Sequence, residues 1–148
     1  MRSDFIIALH VMGFLTAADG EPLSSEILAQ SYGTSPVVVR RILSKLSEGG
    51  IVISKRGVGG GTILARDPSD VSLRQIYDAV ERDSAILQRY PTNELRPSAV
   101  LGNFINDLLG EAEEELLVRL GGISVAEMDM KVRPEICRLL CGLKKSKS

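Results

Sequence analysis

The sequence predicts a mainly α chain with one small β-hairpin, and three observations predict it. Apolar residues recur at helical spacing through most of the 148 positions. A β-branched run, Ile51-Val52-Ile53, faces Thr62-Ile63-Leu64 across a glycine-rich stretch, the pattern of a hairpin. An apolar stripe from Leu101 to Leu116 marks a helix longer than a small domain easily covers. Helix, turn, helix and hairpin in this order build a winged helix-turn-helix, here followed by a long C-terminal dimerisation helix. Residues 1–83 are expected to hold the winged helix-turn-helix, and residues 84–148 a loop, the long helix and a tail.

The first helix is capped by Ser3 or Asp4 and is expected to reach about Ala18, with Phe5, Ala8, Leu9, Met12 and Leu15 on one face. Asp19-Gly20-Glu21-Pro22 reads as a turn. Ser24 caps a short second helix with Glu26 in its first turn and Ile27 and Leu28 inward, and Gly33 ends it. Ser35 caps the third helix, and Pro36 fits its first position, where a missing N–H costs nothing. Ser72 and Gln75 form a capping box for a helix to about Arg82. Residues 83–96 read as a loop, and a helix from about Pro97 to Leu120 follows. Its stripe is Leu101, Phe104, Ile105, Leu108, Ala112 and Leu116, a candidate interface with a second copy of the chain. Gly121-Gly122 ends it. Ser124 and Glu127 box a short terminal turn, Pro134–Leu143 forms a last helix, and Lys144–Ser148 is a flexible tail.

The third helix and the hairpin carry the chemistry. Val39, Ile42, Leu43 and Leu46 recur at i, i+3, i+4 and i+7 and form the buried stripe. Val37, Val38, Arg40, Arg41, Ser44 and Lys45 are left facing outward, with Ser35 at the start of the helix. A guanidinium there can donate two hydrogen bonds to guanine O6 and N7 in a major groove. Lys55 and Arg56 sit at the hairpin tip, where Arg56 can meet phosphate or enter the minor groove. The glycine-rich loop lacks the Lys-Ser/Thr ending of a phosphate loop and leads into a strand rather than a helix, so nucleotide binding is not expected. The expected partner is double-stranded DNA, read by sequence. The alternative is a winged-helix module for protein–protein contact; Arg40, Arg41 and Arg56 argue for DNA.

Net charge is −1 over the chain, which by itself does not suggest DNA. The charge is uneven, however: residues 35–66 hold Arg40, Arg41, Lys45, Lys55, Arg56 and Arg66 against the single acid Glu48, while acids outnumber bases beyond residue 66. No apolar run is long enough to cross a bilayer, and no signal peptide is visible, so the expected location is the cytoplasm, with no membrane partner. Cys137 and Cys141 are then reduced at rest. Spaced i, i+4 near Arg133, Arg138, Lys144 and Lys145, they are either a redox pair or small core hydrophobes. His10, the one histidine, reads as packed or surface. Two cysteines and one histidine supply too few ligands for a closed metal site, and no catalytic constellation is evident. Neither a cofactor nor enzymatic activity is expected.

The chain resembles the Rrf-two family of bacterial winged-helix transcription regulators. The resemblance runs from Ile6-Ala8-Leu9 to about Met128. Its most specific part is Ser54-Lys55-Arg56-Gly57-Val58-Gly59-Gly60-Gly61, similar to the family's S-x-R-G-x-x-G-G wing. Ala79-Val80-Glu81 and Gly121-Gly122-Ile123-Ser124 also match. Val58 stands where proline is common, and Thr62 where an aromatic is common. The resemblance implies a homodimeric regulator, expected to repress, on a near-palindromic operator. Cluster-binding members place three cysteines before the dimer helix. The corresponding loop Gln88–Ser98 has none, which places the chain in a cluster-free branch.

Overall fold

The computed structural model describes residues 3–81, 87–91 and 99–146. Among these are six α-helices and one two-stranded hairpin: α1 (Ser3–Ala17), α2 (Ser25–Tyr32), α3 (Pro36–Glu48), β1 (Val52–Lys55), β2 (Gly61–Leu64), α4 (Leu73–Val80), α5 (Ala99–Gly121) and α6 (Val125–Lys145). The fold class is the one the sequence predicts. The expected boundary at residues 83 and 84, the expected ends at Arg82 and Pro97, and most of the loop Gln88–Ser98 lie outside the described residues.

α1 departs from its expected single apolar face. Phe5, Ile7, Ala8, Val11, Met12, Phe14 and Leu15 are all buried, whereas Leu9 is only half-buried. A helix apolar nearly all round must be enclosed, and α1 is packed by α2, α3, α4, β2 and α6.

The helix-turn-helix is set by its caps. Ser24 accepts the Ile27 N–H at 3.2 Å, and Gly33 closes α2 in the left-handed region at φ 87°. Ser35 accepts the Val38 N–H at 3.4 Å with Pro36 behind it. Val39, Ile42 and Leu46 are buried as expected; Leu43 is half-buried, because it turns toward the groove between α3 and the hairpin.

β1 and β2 pair antiparallel from Val52↔Leu64 to Lys55↔Gly61. The linker before α2 joins them: Leu23 N–H donates to Thr62 O at 3.1 Å, and Thr62 N–H to Leu23 O at 2.9 Å. This contact fixes the hairpin root against the helices. A Cβ on residue 61 would lie 2.6 Å from Leu23 O, so only glycine permits the approach.

α4 starts at the predicted capping box, Ser72 Oγ accepting Gln75 N–H at 3.2 Å, and ends at Val80. α6 corrects a second expectation. It starts at the predicted Ser124–Glu127 box but runs unbroken through Pro134 to Lys145, in place of a short turn, a separate helix and a tail from Lys144. Pro134 has no N–H to give the Met130 carbonyl, but Met130 is exposed and water can serve that oxygen. Next to the proline, Arg133 Nε donates to Asp129 Oδ2 at 2.7 Å, while its two terminal nitrogens donate to Asp19 at 2.8 and 3.0 Å. That clamp holds α6 along α1, with Val125 and Leu140 in the common core.

Candidate nucleic-acid interface

The outward side of α3 is centred on Val37, 70% exposed, and on exposed Ser44. Arg40 and Arg41 flank this line on opposite sides. Val38 is half-buried and packs on the core. Ser35 is exposed at the N-cap, where its hydroxyl is occupied by the Val38 N–H.

Each cation of α3 is bonded to an acid of its own chain. Arg40 Nη2 donates to Glu26 Oε1 at 2.6 Å, and Arg40 Nε to Ser25 Oγ at 3.1 Å. Arg41 Nη2 donates to Asp4 Oδ1 at 2.7 Å. Lys45 Nζ reaches Asp4 Oδ2 at 3.2 Å and the Val80 carbonyl at 3.1 Å. Lys45 is therefore drawn toward the start of α1 and the end of α4, away from the outward line. Asp4, Ser25 and Glu26 were not anticipated as parts of this surface. Asp4 and Glu26 stand in the sequence as acids in the first turns of α1 and α2, with Ser25 at the start of α2, but nothing local shows that those turns lie beside α3. Glu26 is held below the ordinary carboxyl range, first by its own backbone N–H and then by Arg40.

The wing is differently equipped. Lys55 and Arg56 are exposed and make no ion pair among the described residues. Gly57 and Gly59, at φ 101° and 75°, bracket a fully exposed Val58 at the tip. Between wing and α3 runs a polar groove of about 580 Å³, lined by Ser25, Arg40, Ser44, Ser54 and Lys55 among others. Arg40 and Lys55 stand in this lining together with Glu26 and Glu48, so the groove carries charge of both signs.

The stripe predicted on α5 divides. Leu101, Phe104, Leu108 and Ala112 are exposed, Phe104 at 65%. Ile105 and Leu116 are half-buried, and Leu116 packs on the chain's own core. Val100 and Val118 extend the exposed face.

Cys137 is half-buried against the core and Cys141 exposed one turn later; both are free thiols. Two of the bases near them in sequence are engaged elsewhere, Arg133 with Asp129 and Asp19, and Lys144 with Glu21 at 2.6 Å. His10 bridges α1 to α2, its Nε2 lying 2.8 Å from Ser31 Oγ. The Ser31 hydroxyl donates to Leu28 O, so the imidazole is the donor. Burial lowers the His10 pKa.

A sequence profile described as "Rrf2: Iron-dependent Transcriptional regulator" matches residues 1–130. Among the described residues the donor set does not fit an iron centre. His10 is turned to Ser31, the cysteines lie on α6, and the described residues hold no cluster of three or more His, Cys, Asp or Glu side chains suited to a metal. The chain is 34% identical to YwnA of Bacillus subtilis over 116 residues, 78% of this chain and 84% of that protein. It is 28% identical to the HTH-type transcriptional regulator NsrR of the same organism over 107 residues, 69% and 73% of the two chains. Its fold is similar to that of CymR, the global cysteine regulator of B. subtilis, at a TM-score of 0.66 and 20% identity, over 88% of this chain and 96% of that one. The IscR structure of T. potens gives 0.68 at 21% identity, over 89% and 87%. With the profile spanning the helix-turn-helix, the wing and α5, the chain belongs to the Rrf2 family of DNA-binding transcriptional regulators.

Proposed function

We propose that the chain is a homodimeric repressor that reads a near-palindromic operator in the cytoplasm and performs no catalysis. The observation that carries this reading is the exposed side of α3, where Val37 and Ser44 stand between Arg40 and Arg41, beside a wing whose Lys55 and Arg56 have no acid partner among the described residues. α3 enters the major groove, Arg40 or Arg41 reads a guanine edge, and the wing cations follow the backbone or the minor groove. The exposed face Leu101–Phe104–Leu108 of α5 supports pairing with a second copy. A two-fold dimer presents its two α3 helices about one DNA turn, roughly 34 Å, or a multiple apart. Sequencing genomic fragments retained by the purified protein, followed by anisotropy titration on the enriched site and on a scrambled duplex, tests this. Equal affinity for the two sinks the reading. A reporter driven from the enriched site separates repression from activation.

A further inference from the structure

Arg40 is held in a particular way. Its Nε and Nη2 form the edge of the guanidinium that grips carboxylates and phosphates in pairs. That edge is occupied: Nε donates to Ser25 Oγ at 3.1 Å and Nη2 to Glu26 Oε1 at 2.6 Å. Ser25 Oγ in turn donates to Glu26 Oε2 at 3.3 Å, closing a three-residue ring. Nη1 has no partner among the described residues. The end of the fork, Nη1 with the second hydrogen of Nη2, remains free to donate.

Side-chain exposure is 56% for Arg40 and 49% for Glu26. A pair so exposed contributes little to stability, so its effect falls mainly on what Arg40 can bind. A free arginine at this place would bind phosphate on any duplex. A tethered one offers a fixed pair of donors to a base edge, and Glu26 adds a negative charge beside the groove where a phosphate chain would pass.

We infer that Glu26, assisted by Ser25, is a positioning residue that reserves the free end of Arg40 for base reading and so sets how strongly operator DNA is preferred over bulk DNA. The inference rests on the proposal that α3 reads the major groove.

The test uses the full chain and its variants Glu26→Ala, Glu26→Gln, Arg40→Ala and the Glu26→Ala/Arg40→Ala double. Affinity is measured on the enriched site and a scrambled duplex at two salt concentrations. Glu26→Ala is expected to tighten binding to scrambled DNA, to steepen its salt dependence by about one unit, and to lower the operator-to-scrambled ratio roughly tenfold. Glu26→Gln keeps an oxygen acceptor for Nη2 and is expected to retain most of the ratio. With Arg40 absent, Glu26→Ala should leave the ratio unchanged. Thermal melting should be nearly the same for all four. A Glu26→Ala protein that gains the same factor on both duplexes acts by simple repulsion and overturns the inference, as does an equal change of ratio in the Arg40→Ala background. A wild-type protein with no preference between duplexes overturns the operator-reading function itself, and this inference with it.

Discussion

The carboxylate of Glu81 accepts the backbone N–H of Phe5 at 3.3 Å, across 76 positions of sequence. Glu81 is buried just past the end of α4, and its charge faces the N-terminal turn of α1, where free N–H groups and the helix dipole favour an anion. This gives a physical role to the Ala79-Val80-Glu81 run. Glu81→Ala is expected to cost about 1–3 kcal/mol, because a buried donor loses its acceptor. Glu81→Gln should cost less. Urea unfolding measures both, and an unchanged midpoint for Glu81→Ala would refute the role.

On α5 the two sides of the helix should respond differently. Phe104 and Leu108 are exposed, whereas Leu116 packs on the chain's own core. Phe104→Glu and Leu108→Glu are expected to yield folded monomers that sediment at half the wild-type mass and bind operator weakly. Leu116→Glu places a charge against apolar neighbours and should lower the melting temperature at any oligomeric state. Wild-type protein that sediments as a monomer at micromolar concentration would remove the interface.

Where helix signals were local, the sequence was legible. The caps Ser24, Ser35, Ser72 and Ser124, the Gly33 stop and the Gly-rich hairpin each depend on residues within a few positions, and each is in place. What was not legible depends on distant partners. Periodicity alone could not show that α1 is enclosed, because Ile7, Val11 and Phe14, outside the expected face, are buried in a helix that α6 and other later elements pack around. Pro134 reads as a helix start, yet α6 runs through it, and the neighbouring Arg133 is bonded to Asp19, 114 positions away in the sequence. The candidate interface shows the same division. The basic positions on α3 are plain in sequence, but their ties to Glu26, Asp4 and the Val80 carbonyl are decided by packing.

His10 should contribute a pH-dependent part of stability. Burial lowers its pKa below the ordinary 6.5, so the folded chain resists protonation while the unfolded chain takes up a proton. Its contribution is complete above about pH 6.5 and is lost as pH falls through the lowered value. Urea midpoints should drop from about pH 7.5 to about pH 5.5, and His10→Gln should flatten that part of the dependence. A slope unaffected by the substitution would assign it to other groups.

Lys45 and Arg56 offer the sharpest contrast between stability and binding. Lys45 Nζ lies between Asp4 Oδ2 and the Val80 carbonyl, joining α3 to the start of α1 and the end of α4. Lys45→Met should therefore lower stability by about 1–2 kcal/mol, since Asp4 and Val80 each lose a donor. Its effect on the salt dependence of DNA binding should be small, because the ammonium is not directed outward. Arg56 stands exposed on the wing with no acid partner among the described residues. Arg56→Ala should leave unfolding unchanged and reduce the steepness of the salt dependence by about one unit for each phosphate that the arginine had neutralised. If Arg56 instead enters a minor groove, the loss should be selective for sites with narrow, A·T-rich flanks. Parallel urea and salt titrations on the two variants decide the matter. A Lys45→Met protein of native stability with a flattened salt dependence would mean that Lys45 leaves Asp4 to bind phosphate, and that α3 offers DNA a broader cationic face than its ion pairs imply.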